Sequence, residues 1–187
     1  MVPASYAAAA EEHGGTIRLS SEVTAARPIS EEGVGWELEL NGGAQGLRVR
    51  TKTVINAAGC FGDRVELMMR HPGSPSSFTS LPRKGEYIVF EPPPSDRGTL
   101  RAPIQPVPND RTKGIYLFRS SHGLIACGPT AVDVDVFEDV SVSDKVAAEL
   151  KAHALRVMPS LSEGRVVGRY AGLRPATDKR DYQVKIR

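Results

Sequence analysis

Apolar residues along this chain come mostly in short runs that alternate with polar ones, the period of half-buried strands. TIRLSSEVTAARPI (16–29) predicts one or two strands, with Val23 alternating against polar neighbours. GVGWELEL (33–40) and GLRVRTKTVINAA (46–58) predict two more, joined by the Asn- and Gly-rich turn NGGAQG (41–46), a hairpin signal. The end of that run, TVINAAGCFGD (53–63), predicts a short buried strand that passes through Asn56, Ala57 and Ala58 and stops at Gly59. In the second half, KGEYIVFE (84–91) is the clearest strand. EPPPSDRG (91–98) cannot continue a sheet, because each proline removes a donor. GIYLFRS and GLIACGPT predict strands around the turn Ser120-Ser121-His122-Gly123, RVVGRYAGL predicts another, and YQVKIR (182–187) alternates too. VDVDVFEDV (132–140) predicts an edge strand or a loop with a solvated face.

Three segments carry a helical pattern instead. MVPASYAAAAEEHGG has Pro3 in the first turn and Gly14 or Gly15 at the C-cap. Phe61 to His71 is a short helix with Leu67 and Met68 on its apolar side, followed by the loop HPGSPSS. DKVAAELKAHALRVM (144–158) is capped by Ser143, with Val146, Leu150, Ala154 and Val157 on one face. The order of elements predicts an α+β fold, a mixed and largely antiparallel sheet with flanking helices.

Composition narrows the function classes. The 187 residues are 40% apolar, enough for a core, and 24 basic residues against 22 acidic ones leave a net charge of +2. That balance gives no reason to expect nucleic acid or an anionic membrane as a partner. No apolar run approaches the ~20 residues of a membrane helix. Cys60 and Cys127 lack CxxC spacing and a histidine cluster, so no zinc site or disulfide framework is expected, and a reduced intracellular setting is the default. Both read as small core residues. The acids of 132–140 lack the glycine and spacing of a calcium loop.

No phosphate-cradling loop is present. Gly33-Val34-Gly35 continues Trp-Glu-Leu, so the third glycine of GxGxxG is missing, and GxxxxGK[ST], HExxH and GxSxG are absent as well. Ser121 and His122 are adjacent and no nucleophile elbow surrounds them, so acyl transfer is discarded.

Four segments are more specific together than apart: VINAAG (54–59), LPRKGEY (81–87), HGLIACGPTA (122–131) and YAGLRPAT (170–177). In that order and spacing the chain resembles FAD-dependent oxidoreductases related to D-amino-acid oxidase. Within them it looks most like the flavin-linked glycerol-3-phosphate dehydrogenases and L-2-hydroxyglutarate dehydrogenases. The resemblance spans nearly the whole chain but only the middle of the family's, whose members begin with GxGxxG and end with a second glycine-rich FAD segment.

The resemblance implies a partial FAD-binding domain at 1–62, a substrate-binding domain at 63–170 and a return segment at 171–187. Val23 would lie on a strand passing the adenine end of FAD. Ala57, Ala58 and Gly59 would let backbone approach the cofactor. Arg174 would hold the substrate's anion, a role that suits a planar, permanently charged, bidentate guanidinium. Arg83 and Lys84 either line the site mouth or form a solvated turn. His122 is a candidate general base, against the plainer reading of a turn residue.

The reaction this implies is oxidation of a secondary alcohol beside an anionic group, first glycerol 3-phosphate to dihydroxyacetone phosphate. The alternatives are oxidation of L-2-hydroxyglutarate or an amino acid, or, for the chain by itself, a non-catalytic domain that binds small anions or another protein. Without GxGxxG the chain is expected not to retain FAD. Apolar faces of the first helix and of the VINAAG strand are expected to be bare, which favours a homodimer. The purified chain should therefore be colourless, inactive and dimeric. A flavin absorption band that survives desalting, or a monomer by light scattering, contradicts the matching expectation.

Overall fold

KGEYIVFE becomes the centre of the larger sheet. In the computed structural model, which describes residues 2–29, 35–42, 46–70, 73–96, 98–108, 114–179, 181 and 184, the chain divides into two units. The first is Met1–Ala58 with Gly62–Ser76, and the second is Gly59–Phe61 with Ser77–Arg187. The mixture of helices and largely antiparallel strands matches the fold class expected from the pattern.

In the first unit, helix α1 (Val2–Glu12) ends where Gly14 takes a φ of +84° and Gly15 N–H reaches back to Ala10 O at 2.8 Å. A left-handed residue of this kind closes a helix with least strain when it is glycine. Strands β1 (Glu22–Pro28), β2 (Trp36–Asn41) and β3 (Leu47–Thr51) form an antiparallel meander. Cross-strand pairs Glu37–Arg50 and Glu39–Arg48 ladder one face with charge. The Arg50 hydrogen bond, opposed by partial burial, holds the Glu37 carboxyl below the usual range. Helix α2 (Gly62–Met68) completes the unit. Among its described apolar residues with a side chain beyond glycine, Ala26 alone is buried.

VINAAG differs from expectation. β3 stops at Thr51, and residues 53–58 form no strand. Side chains take the backbone groups that a sheet partner would need. Thr51 Oγ1 accepts from Thr53 N–H at 3.3 Å and donates to Thr53 O at 2.9 Å. Asn56 accepts from Ala58 N–H through Oδ1 at 3.2 Å and donates through Nδ2 to Gly62 O at 2.7 Å. The middle of NGGAQG, residues 33–34, the start of the HPGSPSS loop, one residue of EPPPSDRG, and most of YQVKIR lie outside the described residues.

In the second unit, β4 (Arg83–Glu91) is flanked along one edge by β8 (Arg165–Arg174). Its other edge is shared by β6 (Ile125–Gly128), which pairs with residues 88–90, and by the short β7 (Val132–Asp133), which pairs with 83–84. β5 (Tyr116–Arg119) lies outside β6. Helix α3 (Asp144–Val157) starts at Ser143, whose hydroxyl accepts from Val146 N–H at 3.3 Å. One face of the sheet and this helix enclose the core: Ile88, Phe90, Leu117, Ile125, Cys127, Ala147, Leu150, Ala154 and Leu161. The face of α3 is turned slightly from the predicted one: Ala147 is buried, and Val157, in the last turn, is 36% exposed. Of VDVDVFEDV only the first two residues are strand, and the rest is loop. No helix among the described residues is long and apolar enough to cross a membrane.

Leu150 is 1% exposed at the centre of this core. Leu150→Ala should lower unfolding stability by about 2–5 kcal/mol, whereas Val157→Ala should change it by less than ~1 kcal/mol. Urea denaturation followed by circular dichroism measures both.

Candidate active site

Alternation on β4 sends Lys84, Glu86, Ile88 and Phe90 to the helix-covered face and Arg83, Gly85, Tyr87 and Val89 to the other. On β8 the register places Arg174 opposite Arg83, Gly172 opposite Gly85, Tyr170 opposite Tyr87 and Gly168 opposite Val89. The uncovered face is therefore an aromatic and glycine pavement with arginines at one end. Tyr87 and Tyr170 stack with ring centres 4.7 Å apart and planes 8° from parallel, and Phe118 of β5 meets Tyr87 edge-on at 6.4 Å. An added Cβ at Gly128 would fall 2.4 Å from the Tyr87 ring, so the pavement fits only because β6 ends in glycine there.

The two arginines differ in charge balance. Arg83 is held by both oxygens of Asp133, at 2.6 and 3.1 Å. Arg174 has no carboxylate partner among the described residues. Its Nη2 donates to Thr130 O at 2.8 Å, and its guanidinium lies over Gly85, where an added Cβ would come within 3.2 Å of Nη2. Arg174 is exposed. Burial raises the Tyr87 hydroxyl pKa above its ordinary value, and the Arg174 charge pulls in the opposite direction. Burial raises Tyr170 too, reinforced by Tyr87. The backbone of Arg174 is fixed beyond Pro175 as well, where Leu81 N–H donates to Ala176 O at 2.8 Å and Thr79 N–H to Asp178 Oδ1 at 3.0 Å.

Other predicted residues lie elsewhere. Lys84 does not share a site with Arg174. It is 7% exposed on the covered face, with Nζ 3.0 Å from Asp139 and 3.9 Å from Glu86. Neighbours on a strand face opposite ways, so Arg83 and Lys84 cannot line one mouth together. His122 sits exposed in the turn between β5 and β6, beyond the Phe90 end of β4. At ~3.3 Å per residue that end lies roughly 20 Å from the Arg83–Arg174 pair, so His122 is not brought to Arg174. Val23 and the exposed Ala57 and Ala58 belong to the first unit, while Gly59, with open space where a Cβ would stand, opens the second. Cys127 is buried and its thiol is pushed up to about 12, and burial also raises the Cys60 thiol, so neither is a thiolate nucleophile. No group of three or more metal-ligating side chains exists among the described residues.

The sequence motifs alone do not set Tyr87, Tyr170 and Thr130 apart. The signal was present: Arg83, Gly85, Tyr87 and Tyr170, Gly172, Arg174 each repeat at two residues within the quoted motifs.

The residues fit FAD in part. Ala57 and Ala58 are exposed and small, so the backbone there is open to a cofactor. The 187 residues contain no glycine-rich loop for the pyrophosphate.

Comparison with known proteins identifies the family. The sequence pattern of the family described as FAD dependent oxidoreductase (DAO) matches residues 3–185. A glycerol 3-phosphate dehydrogenase of Caloramator mitchellensis is 25% identical over 94% of this chain and 34% of its own. An L-2-hydroxyglutarate dehydrogenase of Salmonella houtenae is 31% identical over 64% of this chain and 26% of its own. The chain thus spans about a third or less of these curated relatives. The fold is similar to that of an L-alpha-glycerophosphate oxidase of Mycoplasma pneumoniae with FAD bound, with a TM-score of 0.75, 22% identity, and coverage of 92% of this chain and 43% of that one.

The Lys84–Asp139 contact gives a pH signature. Hydrogen bonds from the Ser141 hydroxyl and N–H, then from Lys84, hold the Asp139 carboxyl at about 2. Its unfolded value is ~3.9. A depressed carboxyl contributes stability that is complete above the unfolded value and is lost as pH falls through the folded one. Asp139→Asn should therefore lower the melting temperature at pH 7. The deficit should shrink between pH 5 and 2, as read by melting curves at each pH.

Proposed function

This chain belongs to the FAD dependent oxidoreductase family, and from that premise we propose that its Arg174 face recognises the anionic group of a secondary alcohol undergoing oxidation. Glycerol 3-phosphate is the substrate this reading favours. The observation that carries it is an exposed guanidinium, with no acid to neutralise it among the described residues, at the end of an aromatic pavement.

The chemistry divides simply. FAD, when bound, supplies the hydride acceptor. Oxidation of such an alcohol would give a ketone, with the hydroxyl proton passing to a base. The residues of this chain bind and orient. Arg174 offers its remaining N–H donors to phosphate or carboxylate oxygens, a bidentate contact that fixes direction as well as distance. The stacked rings of Tyr87 and Tyr170 give the short carbon skeleton an apolar wall. Asp133 removes Arg83 from competition for the anion.

The L-2-hydroxyglutarate dehydrogenase relative supports a second reading, in which the anion is a carboxylate. A chain that binds anions without catalysis is the alternative of a different class. Melting curves with glycerol 3-phosphate, L-2-hydroxyglutarate or plain glycerol separate them. A ligand at ~100 times its dissociation constant should add ~2.7 kcal/mol. Glycerol 3-phosphate should shift the curve and glycerol should not. Arg174→Met should weaken binding by about 10- to 100-fold, the value of one charge-assisted contact. A larger shift with hydroxyglutarate selects the second reading. Binding that is equally tight for inorganic phosphate and sulfate selects the non-catalytic one. No shift with either anion ends the proposal.

A further inference from the structure

Between β6 and β7 the chain passes β4 at Glu86, and the hydrogen bonding there departs from a regular antiparallel ladder. In a regular hydrogen-bonded pair, two opposed residues exchange N–H and C=O. Thr130 N–H does donate to Glu86 O, at 3.2 Å. The return bond is different: Glu86 N–H donates to the Thr130 hydroxyl, Oγ1, at 3.0 Å. That hydroxyl donates onward to Glu86 Oε2 at 2.8 Å. Thr130 O, left out of the ladder, accepts from Arg174 Nη2 at 2.8 Å.

We propose that Thr130 is a positioning residue: its hydroxyl replaces its own carbonyl in the β4 ladder, and the carbonyl so released aims Arg174. Glu86 is the anchor. It is 5% exposed, and its carboxylate fixes the threonine rotamer that makes the exchange possible. Gly85 supplies the space, since an added Cβ would stand 3.1 Å from Pro129 Cβ and 3.2 Å from Arg174 Nη2. Without the hydroxyl, Glu86 N–H takes the Thr130 carbonyl as a regular pair would, and Arg174 loses its acceptor. A long side chain with several rotatable bonds then spreads over many positions. An anion must order it again on binding, at a cost in affinity. The inference rests on the reading of Arg174 as the anion grip.

The test uses the chain labelled with ¹⁵N-arginine, with the Arg174 signals identified through Arg174→Lys. Thr130→Val keeps the shape and removes the hydroxyl, and Thr130→Ser keeps the hydroxyl. In Thr130→Val, exchange of the Arg174 guanidinium protons with water should speed up tenfold or more. Glycerol 3-phosphate affinity should fall about tenfold, the lower end for one hydrogen bond to a charged group. Thr130→Ser should restore both, which a packing role for the methyl group would not do. If the valine variant fails to fold, Thr130→Ala replaces it in the same comparison. Unchanged Arg174 exchange in the hydroxyl-free variant overturns the proposal. So does unchanged affinity there while Arg174→Met weakens binding, an outcome that leaves Arg174 as the anion grip. If Arg174→Met binds like the unaltered chain, the reading of Arg174 falls and takes the positioning role with it, whatever its exchange rate shows.

Discussion

Hydrogen bonding along both edges of β4 is the constraint from which the second unit takes its form. β8 occupies one edge for the length of the strand, while β6, Thr130 and β7 divide the other. A strand held on both sides cannot slip by one residue without reversing every side chain. Ile88 and Phe90 are therefore committed to the core beneath α3, and Tyr87, with the Arg83–Arg174 pair, is committed to the opposite face. A single alternation in the sequence sets both the packing and the chemistry.

Charge is sorted by the same strand. Lys84 and Glu86 are buried near the core, where an unpaired ion would be costly, and each has partners: Asp139 for the lysine, Thr130 for the glutamate, and a longer contact between the two. On the uncovered face Asp133 answers Arg83. Arg174 is left with a neutral carbonyl as its acceptor, so its full positive charge faces outward. A neutral acceptor orients a guanidinium without cancelling its attraction for an anion, which a carboxylate would do.

The alternating strands β1, β2, β3, β4 and β8 and the short apolar runs of β5 and β6 are legible in sequence, as are Ser143 and Gly14 as caps, because those signals are local. VINAAG reads as strand because apolar β-branched residues suggest a ladder, while the short side-chain bonds of Thr51 and Asn56 that take its place leave no periodic trace. Arg174 stands out in the sequence through its motif. Its aromatic neighbours needed the β4–β8 register, which brings together residues more than eighty positions apart. Lys84 looked like the equal of Arg83 because a sequence shows adjacency, whereas a strand turns adjacent residues away from each other.

The glycines of the uncovered face are not equivalent. At Gly128 a methyl group would collide with Tyr87 and the Glu86 backbone, and at Gly85 it would crowd Pro129 and Arg174. At Gly172 nothing lies within 4 Å, and at Gly168 only Val89 does, at ordinary contact distance. Two positions thus define the site and two merely leave it roomy. Side chains introduced at Gly168 and Gly172 would narrow the space beside the tyrosine pair while the sheet beneath stayed as it is. On the proposed reading of Arg174, the face has a built-in place where the size of an accepted molecule can drift over evolution, or be redesigned, separately from the grip on its charge.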